Sequence, residues 1–126
     1  MSLVERVLAP VFGRRIDLPA DLPRESLPGR VTLREGRLIP AIGGVLGRMK
    51  GPAAAVTLGR TIIVHPEVSL SRDLLVHELT HVRQWESDRL FPVRYTLESI
   101  RRGYWNNRYE LEARDAEKRV SENHPS

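Results

Sequence analysis

The segment RDLLVHELTHVRQWES, residues 72–87, combines two histidines and a glutamate at a spacing that could do chemistry. His77 and His81 stand four residues apart, one turn of a helix, so their imidazoles can converge on a single tetrahedral ion. Glu78 is offset around the helix from His77, beyond bonding distance of that ion but able to reach a water held on it. Zinc lowers the pKa of such a water towards about 7, and a carboxylate general base completes its activation. HExxH therefore predicts metal-assisted hydrolysis, with His77 and His81 as metal ligands and Glu78 as the catalytic base. The plainer alternative is a helix whose two histidines are capped or solvated.

The helix itself decides whether these side chains can meet. At about 100° per residue, with Leu74 at zero, His77 falls at about 300°, His81 at about 340°, Trp85 at about 20° and Glu78 at about 40°. Leu75, Leu79 and Val82 fall between about 80° and 140°, so the polar cluster adjoins a buried stripe and lies at the rim of the core. Val76, Thr80 and Arg83 point the other way. Trp85, one turn beyond His81, reads as a wall of the site or as core.

A catalytic zinc keeps three protein ligands and one open position. The chain contains no cysteine, which excludes thiolate zinc sites, iron–sulfur clusters, disulfides and cysteine nucleophiles, and leaves His, Asp and Glu to hold any metal. The remaining histidines, His65 before Pro66 and His124 in the tail, read as surface residues. Gln84 and Ser87 stand where the metzincin extension requires a glycine and a histidine, and the rRNA-processing endonucleases would also need histidine in place of Ser87. Peptide deformylases use a cysteine. The carboxylates of NNRYELEARDAEKRV remain. Relative to the apolar stripe of that helix, Glu112 lies about 70° to one side, Glu117 about 70° to the other, Glu110 about 90° away and Asp115 about 130° away. Ala113 and Ala116 flank Glu112 and would let this helix approach the histidine helix, but spacing does not separate Glu112 from Glu110 or Glu117. Surface pairing with Lys118 or Arg108 is the ordinary alternative for such a glutamate.

The remaining sequence supplies the elements that position these groups. In 126 residues there is room for one domain with a modest core. The 40% hydrophobic and 29% charged composition is that of a soluble protein, and no apolar run approaches the roughly 20 residues of a membrane span. The start, MSLVERVLAPVFGRR, lacks the layout of a signal peptide and predicts an amphipathic helix over residues 3–12 in a cytoplasmic protein. The net charge of +4 is dispersed, so nucleic acid is not an expected partner. Residues 17–29, with Pro19, Pro23 and Pro28, predict an extended covering segment, so that 1–30 is a helix followed by a cover. Residues 31–64 predict strands, VTLREGRLI and AAAVTLGRTIIV each broken by a glycine turn, with Gly59-Arg60 fitting a two-residue hairpin loop. AIGGVLGRMKG between them reads as a flexible loop without phosphate-binding glycine spacing. Residues 71–121 predict three helices: about 72–88; one starting near Pro92 with Val93, Leu97, Ile100 and Tyr104 on one face until Gly103 loosens it; and about 108–120. The fold class is α+β: a short antiparallel or mixed sheet packed on the HExxH helix, with two further helices and an N-terminal helix.

LLVHELTHVRQWE, followed after a helical spacer by YELEARDAE, resembles the gluzincin pattern, HExxH and then a Glu on a later helix, in the short minigluzincin form. It is also similar to metallopeptidase domains related to phage-repressor-cleaving proteases. The resemblance covers about residues 54–120 and lacks the NExxSD form of the thermolysin-like enzymes. It implies a zincin-like domain holding Zn2+ through His77, His81 and Glu112, the last followed by Ala113, with Glu78 as general base and a peptide or protein as substrate. It also implies that a sheet edge lies above the zinc helix and binds peptide in extended form, with AAAVTLG or RTIIV as that edge. Tyr95, Tyr104, Tyr109 and Arg108 are candidates by type for stabilising the transition state, with Tyr109 reading as packing. The alternative function is a non-catalytic or latent zincin-like adaptor whose metal is a structural staple, or whose cleft is filled by the segment 17–29 or by the ENHPS tail through His124. The oligomeric state is open.

Overall fold

The computed structural model describes residues 2–18, 30–46, 51 and 53–123. Most of the expected covering segment, 19–29, and the end of the tail with His124 lie outside the described residues. Among the described residues no helix is long and apolar enough to cross a membrane.

Strands β1 (Arg14–Ile16), β2 (Thr32–Glu35), β3 (Ala55–Leu58) and β4 (Thr61–Val64) form one mixed sheet in the order β1-β2-β4-β3. β2 and β4 run parallel, while β1 and β3 pair antiparallel with their neighbours. The run Ile62-Ile63-Val64 is apolar on both faces because β4 is central and covered on both sides. Gly59-Arg60 closes the β3–β4 hairpin between the paired Leu58 and Thr61, and Gly59 takes the positive φ of 62° that the first loop position demands. Of the two segments considered for a sheet edge, AAAVTLG holds the end strand β3, and RTIIV lies inside the sheet.

Helix α3 (Arg72–Ser87) covers one face. Ser71 caps it, its hydroxyl accepting from Leu74 N at 3.1 Å, with Asp73 complementing the dipole in the first turn. Leu75, Leu79 and Val82, the stripe read from the sequence, pack on Leu33, Ile62 and Val64 as the main core. Helix α1 (Leu3–Phe12) and helix α2 (Leu38–Leu46) belong to the other face. There the buried Arg34 of β2 pairs with Glu5 and donates to the carbonyls of Phe12 and Gly13. The α+β architecture with an N-terminal helix is the one expected.

Two expectations are corrected. VTLREGRLI is not two strands: β2 ends at Glu35, Gly36 N continues the parallel ladder by donating to Val64 O at 3.0 Å, and α2 begins at Leu38. Pro40 is tolerated because it sits in the first helical turn, where no intrahelical partner is lost, and it is buried there. AIGGVLGRMKG is therefore helical through Leu46 rather than a loop, with residues 47–50 outside the described set. The short strand β1 had no pattern of its own and exists through pairing with β2.

Helices α4 (Phe91–Asn106) and α5 (Arg108–Asn123) complete the chain. Within α4 the stripe Val93, Leu97 and Ile100 turns outward, 53–61% exposed, and Phe91, Tyr95 and Ser99 face the interior. Gly103, at φ 77° and ψ 167°, breaks the helical path, as the sequence suggested.

Candidate metal centre

The site forms where α3 and α5 pack together, and the start of α5 is set by Asn107, fully buried at the junction of α4 and α5. Its Nδ2 donates to Tyr95 O at 3.1 Å and to Ser99 Oγ at 2.9 Å, while its Oδ1 accepts from Tyr109 N at 2.9 Å. One asparagine thus fastens α4 and caps α5. Glu110 follows three residues later, in the first turn of α5, where the helix dipole favours its charge.

Glu110 Oε1 lies 2.8 Å from His77 Nε2 and 3.0 Å from His81 Nε2. Ligands about 2.0–2.1 Å from a tetrahedral ion are separated by roughly 3.3 Å, so both distances from Glu110 Oε1 lie within about half an ångström of that spacing, and the three ligand atoms all lie within 4.8 Å of one another. All three side chains are buried, Glu110 to 2% exposure. His77, His81 and Glu110 could hold a metal ion.

The second nitrogens of the rings support that fit. His77 Nδ1 is 3.0 Å from Glu117 Oε2, and His81 Nδ1 is 2.7 Å from Gln84 Oε1. Gln84 Nε2 donates to Tyr109 O at 3.1 Å, and a carbonyl only accepts, so the amide must turn its own oxygen towards His81. Both Nδ1 atoms therefore keep a proton of their own, the arrangement that outer hydrogen bonds impose on metal-ligating histidines, and a metal would displace only the Nε2 protons that Glu110 accepts without it. Replacing Gln84 or Glu117 with alanine is expected to weaken metal binding by about 10–100-fold. Competition against a chromophoric chelator measures this, and unchanged affinity in both variants would remove the orienting role.

His77, His81 and Glu78 are brought together as expected, but Glu112 is not. Its side chain is exposed and lines a separate surface pocket of about 340 Å3 with Arg108, Ser87 and Asp88. The reason is rotational. Glu110 and Glu117, seven residues apart, share one side of α5 and both reach His77, whereas Glu112 lies on the opposite flank of the apolar stripe. His65 is likewise not a surface residue: it is buried, and its Nδ1 accepts from Glu67 N at 3.1 Å in a turn.

Glu78 is buried beside the triad, its Oε2 accepting from Thr57 Oγ1 at 2.7 Å. Tyr95 OH donates to Glu110 Oε2. Burial, and then the charge of Glu110, raises the pKa of both Tyr95 and Tyr104, so both phenols stay protonated. Tyr109 packs edge-on against Phe91, as its stripe position implied, and Phe91 also meets Trp85 and Tyr95, an aromatic buttress behind His81. A cleft of about 480 Å3 opens over the triad, between β3 on one side and Phe91, Thr96, Ile100 and Tyr104 on the other.

Burial opposes charging of the histidines, but hydrogen bonds to Glu110 prevail and raise His77 above its ordinary value and His81 to about 9. For Glu110 burial favours the neutral acid, and the hydrogen bonds from His77 and His81 outweigh it, so its pKa falls well below the usual carboxylate range. The stability that a raised His81 contributes is complete below about pH 6.5 and is lost as pH rises towards about 9. The contribution of Glu110 is present above about pH 4.5 and is lost in acid. Metal-free protein is therefore expected to melt at progressively lower temperature from pH 6.5 to 9. A bound metal, which replaces protons on the ligands, should flatten that decline. Melts recorded with and without zinc compare the two slopes, and equal slopes would contradict the assignment.

Residues 48–89, which carry β3, β4 and the HELTH half of the site, match the family described as the eCIS core domain. The match covers about a third of the chain and ends before Glu110. No curated protein and no solved structure matches the chain.

Proposed function

We propose that this protein is a small zinc-dependent metallopeptidase of gluzincin type, with His77, His81 and Glu110 as zinc ligands and Glu78 as general base. The observation that carries this reading is the convergence of two Nε2 atoms and one buried carboxylate oxygen beside Glu78, at the floor of a cleft bordered by the edge strand β3. Two imidazoles and a carboxylate are a donor set suited to zinc. When bound there, zinc supplies electrophilic polarisation of a carbonyl oxygen and acidifies a coordinated water to a pKa of about 7.

The chain's own groups supply the rest. Glu78 takes the proton of the attacking water and returns it to the leaving amine. The edge strand β3 offers outward backbone groups to an extended peptide. Tyr95 and Tyr104, both protonated, both hydrogen-bonded to Glu110 and both lining the cleft, are the donors available to the developing oxyanion. The apolar lining from Ala53, Val56, Leu58, Trp85 and Phe91 suits apolar side chains in the bound segment.

The test is metal analysis followed by incubation of zinc-loaded protein with a mixture of peptides read by mass spectrometry. About one zinc per chain is expected, with cleavage that a chelator stops and added zinc restores. Protein that binds no zinc under saturating conditions would end this reading, and zinc binding without any cleavage would make the metal a structural staple.

A further inference from the structure

Resting on the peptidase reading above, we propose that Thr57 is a positioning residue: it ties the Glu78 carboxylate to the strand along which the substrate lies, so that one strand sets the place of both base and peptide. Thr57 and Glu78 are 8% and 4% exposed, and the hydroxyl donates to Glu78 Oε2 at 2.7 Å. Holding one carboxylate oxygen leaves the other for the water.

The register of β3 adds the second half. The closing pair Leu58–Thr61, and the bond from His65 N to Ala54 O at 2.8 Å, show that Ala54, Val56 and Leu58 turn their backbone groups towards β4. Ala53, Ala55 and Thr57 therefore turn theirs to the outer edge, away from β4. Two of those outward groups already have partners: Ala53 N donates to Pro40 O at 2.8 Å, and Thr57 O accepts from Trp85 Nε1 at 3.1 Å. Among the described residues the outward groups of Ala55 have no partner, so a peptide pairs there, two residues and about 7 Å along the strand from the threonine that holds the base. Trp85 fixes the backbone of that threonine from α3, so movement of the edge and movement of the base are one movement. A glutamate side chain has three rotatable bonds, and without the hydroxyl its carboxylate would leave the line of attack while peptide pairing at Ala55 persists.

The experiment compares Thr57→Val, which removes the hydroxyl but keeps the shape, with Thr57→Ser, which keeps it, both as zinc-loaded full chains. Thr57→Val should lower kcat by roughly 10–100-fold, the worth of a hydrogen bond to a charged group, with KM and zinc content unchanged. It should weaken an equilibrium complex with acetohydroxamic acid, which gives a proton to the base as it chelates, by a similar factor. Thr57→Ser should restore both. If Thr57→Val does not fold, Thr57→Ala, which places no methyl against the carboxylate, decides by the same readouts. Wild-type kcat and hydroxamate affinity in the hydroxyl-free variant, or equal losses in Thr57→Ser, overturn the proposal. A zinc-loaded wild type that neither cleaves peptide nor binds hydroxamate overturns the peptidase reading along with it, whereas an active wild type with an indifferent Thr57 removes this inference alone.

Discussion

Replacing Glu110 with alanine is expected to abolish one-to-one zinc binding, while the same change at Glu112 leaves it intact. Glu110 offers one oxygen to both Nε2 atoms from a buried position, and nothing else among the described residues stands ready to replace it. Changing the outer partners of metal ligands costs about 10–100-fold in affinity, so loss of a ligand itself should exceed the upper end of that range. Glu112 points to solvent on the far flank of the same helix. The variants also differ without metal. Glu110→Ala removes the charge that holds His77 and His81 above their ordinary pKa, so the alkaline decline in stability should disappear with it, whereas Glu112→Ala should keep it. Metal content after exhaustive dialysis, with a melt series at pH 6.5 and 9, separates the two. Zinc lost from Glu112→Ala and kept by Glu110→Ala would reverse the assignment.

Glu78→Gln is expected to keep zinc and lose hydrolysis. Glutamine is nearly isosteric, and its carbonyl oxygen can still accept from Thr57, so the buried position stays filled and bonded. Glu78 is not among the three converging ligand atoms, so metal content should be unaffected. The proton acceptor disappears, and general-base catalysis is worth about 10²–10⁴-fold. Single-turnover cleavage on matched zinc-loaded samples measures the loss. A rate within a few-fold of wild type would remove Glu78 as the base.

The elements that follow a period were legible from sequence, and those created by tertiary pairing were not. The α3 stripe, the β3–β4 hairpin and the break at Gly103 announce themselves through spacing, a glycine at a loop's first position and an interrupted pattern. β1 has three residues and no periodicity, and α2 hides a helix behind a proline and paired glycines that only its burial against the sheet explains. The outward stripe of α4 shows the limit of reading burial from periodicity, since a face can be apolar without being covered.

Within the site, HExxH marks its own residues because three of them share one helix. The third partner depends on how a second helix rolls against the first, and no spacing within α5 fixes that roll. One signal was present: Glu110 and Glu117, two turns apart, can both address one histidine, whereas Glu112 has no such companion. Gln84 appeared in the sequence only as an absent glycine, and its bond to Tyr109 O, which decides the His81 tautomer, is invisible until the helices are docked.

Arg34 has a consequence for how the chain can be cut. Its guanidinium is buried on the face of the sheet opposite α3, and its partners, Glu5, Phe12 O and Gly13 O, all come from the first thirteen residues. The N-terminal helix contributes nothing to the metal cluster, which makes it look dispensable in a shortened expression fragment. Trimming it would strand a positive charge in the sheet, and an unpaired buried ion costs about 3–5 kcal/mol, a large share of the stability of so small a domain. A minimal fragment beginning at residue 30 would therefore need Arg34 exchanged for an apolar residue in the same step.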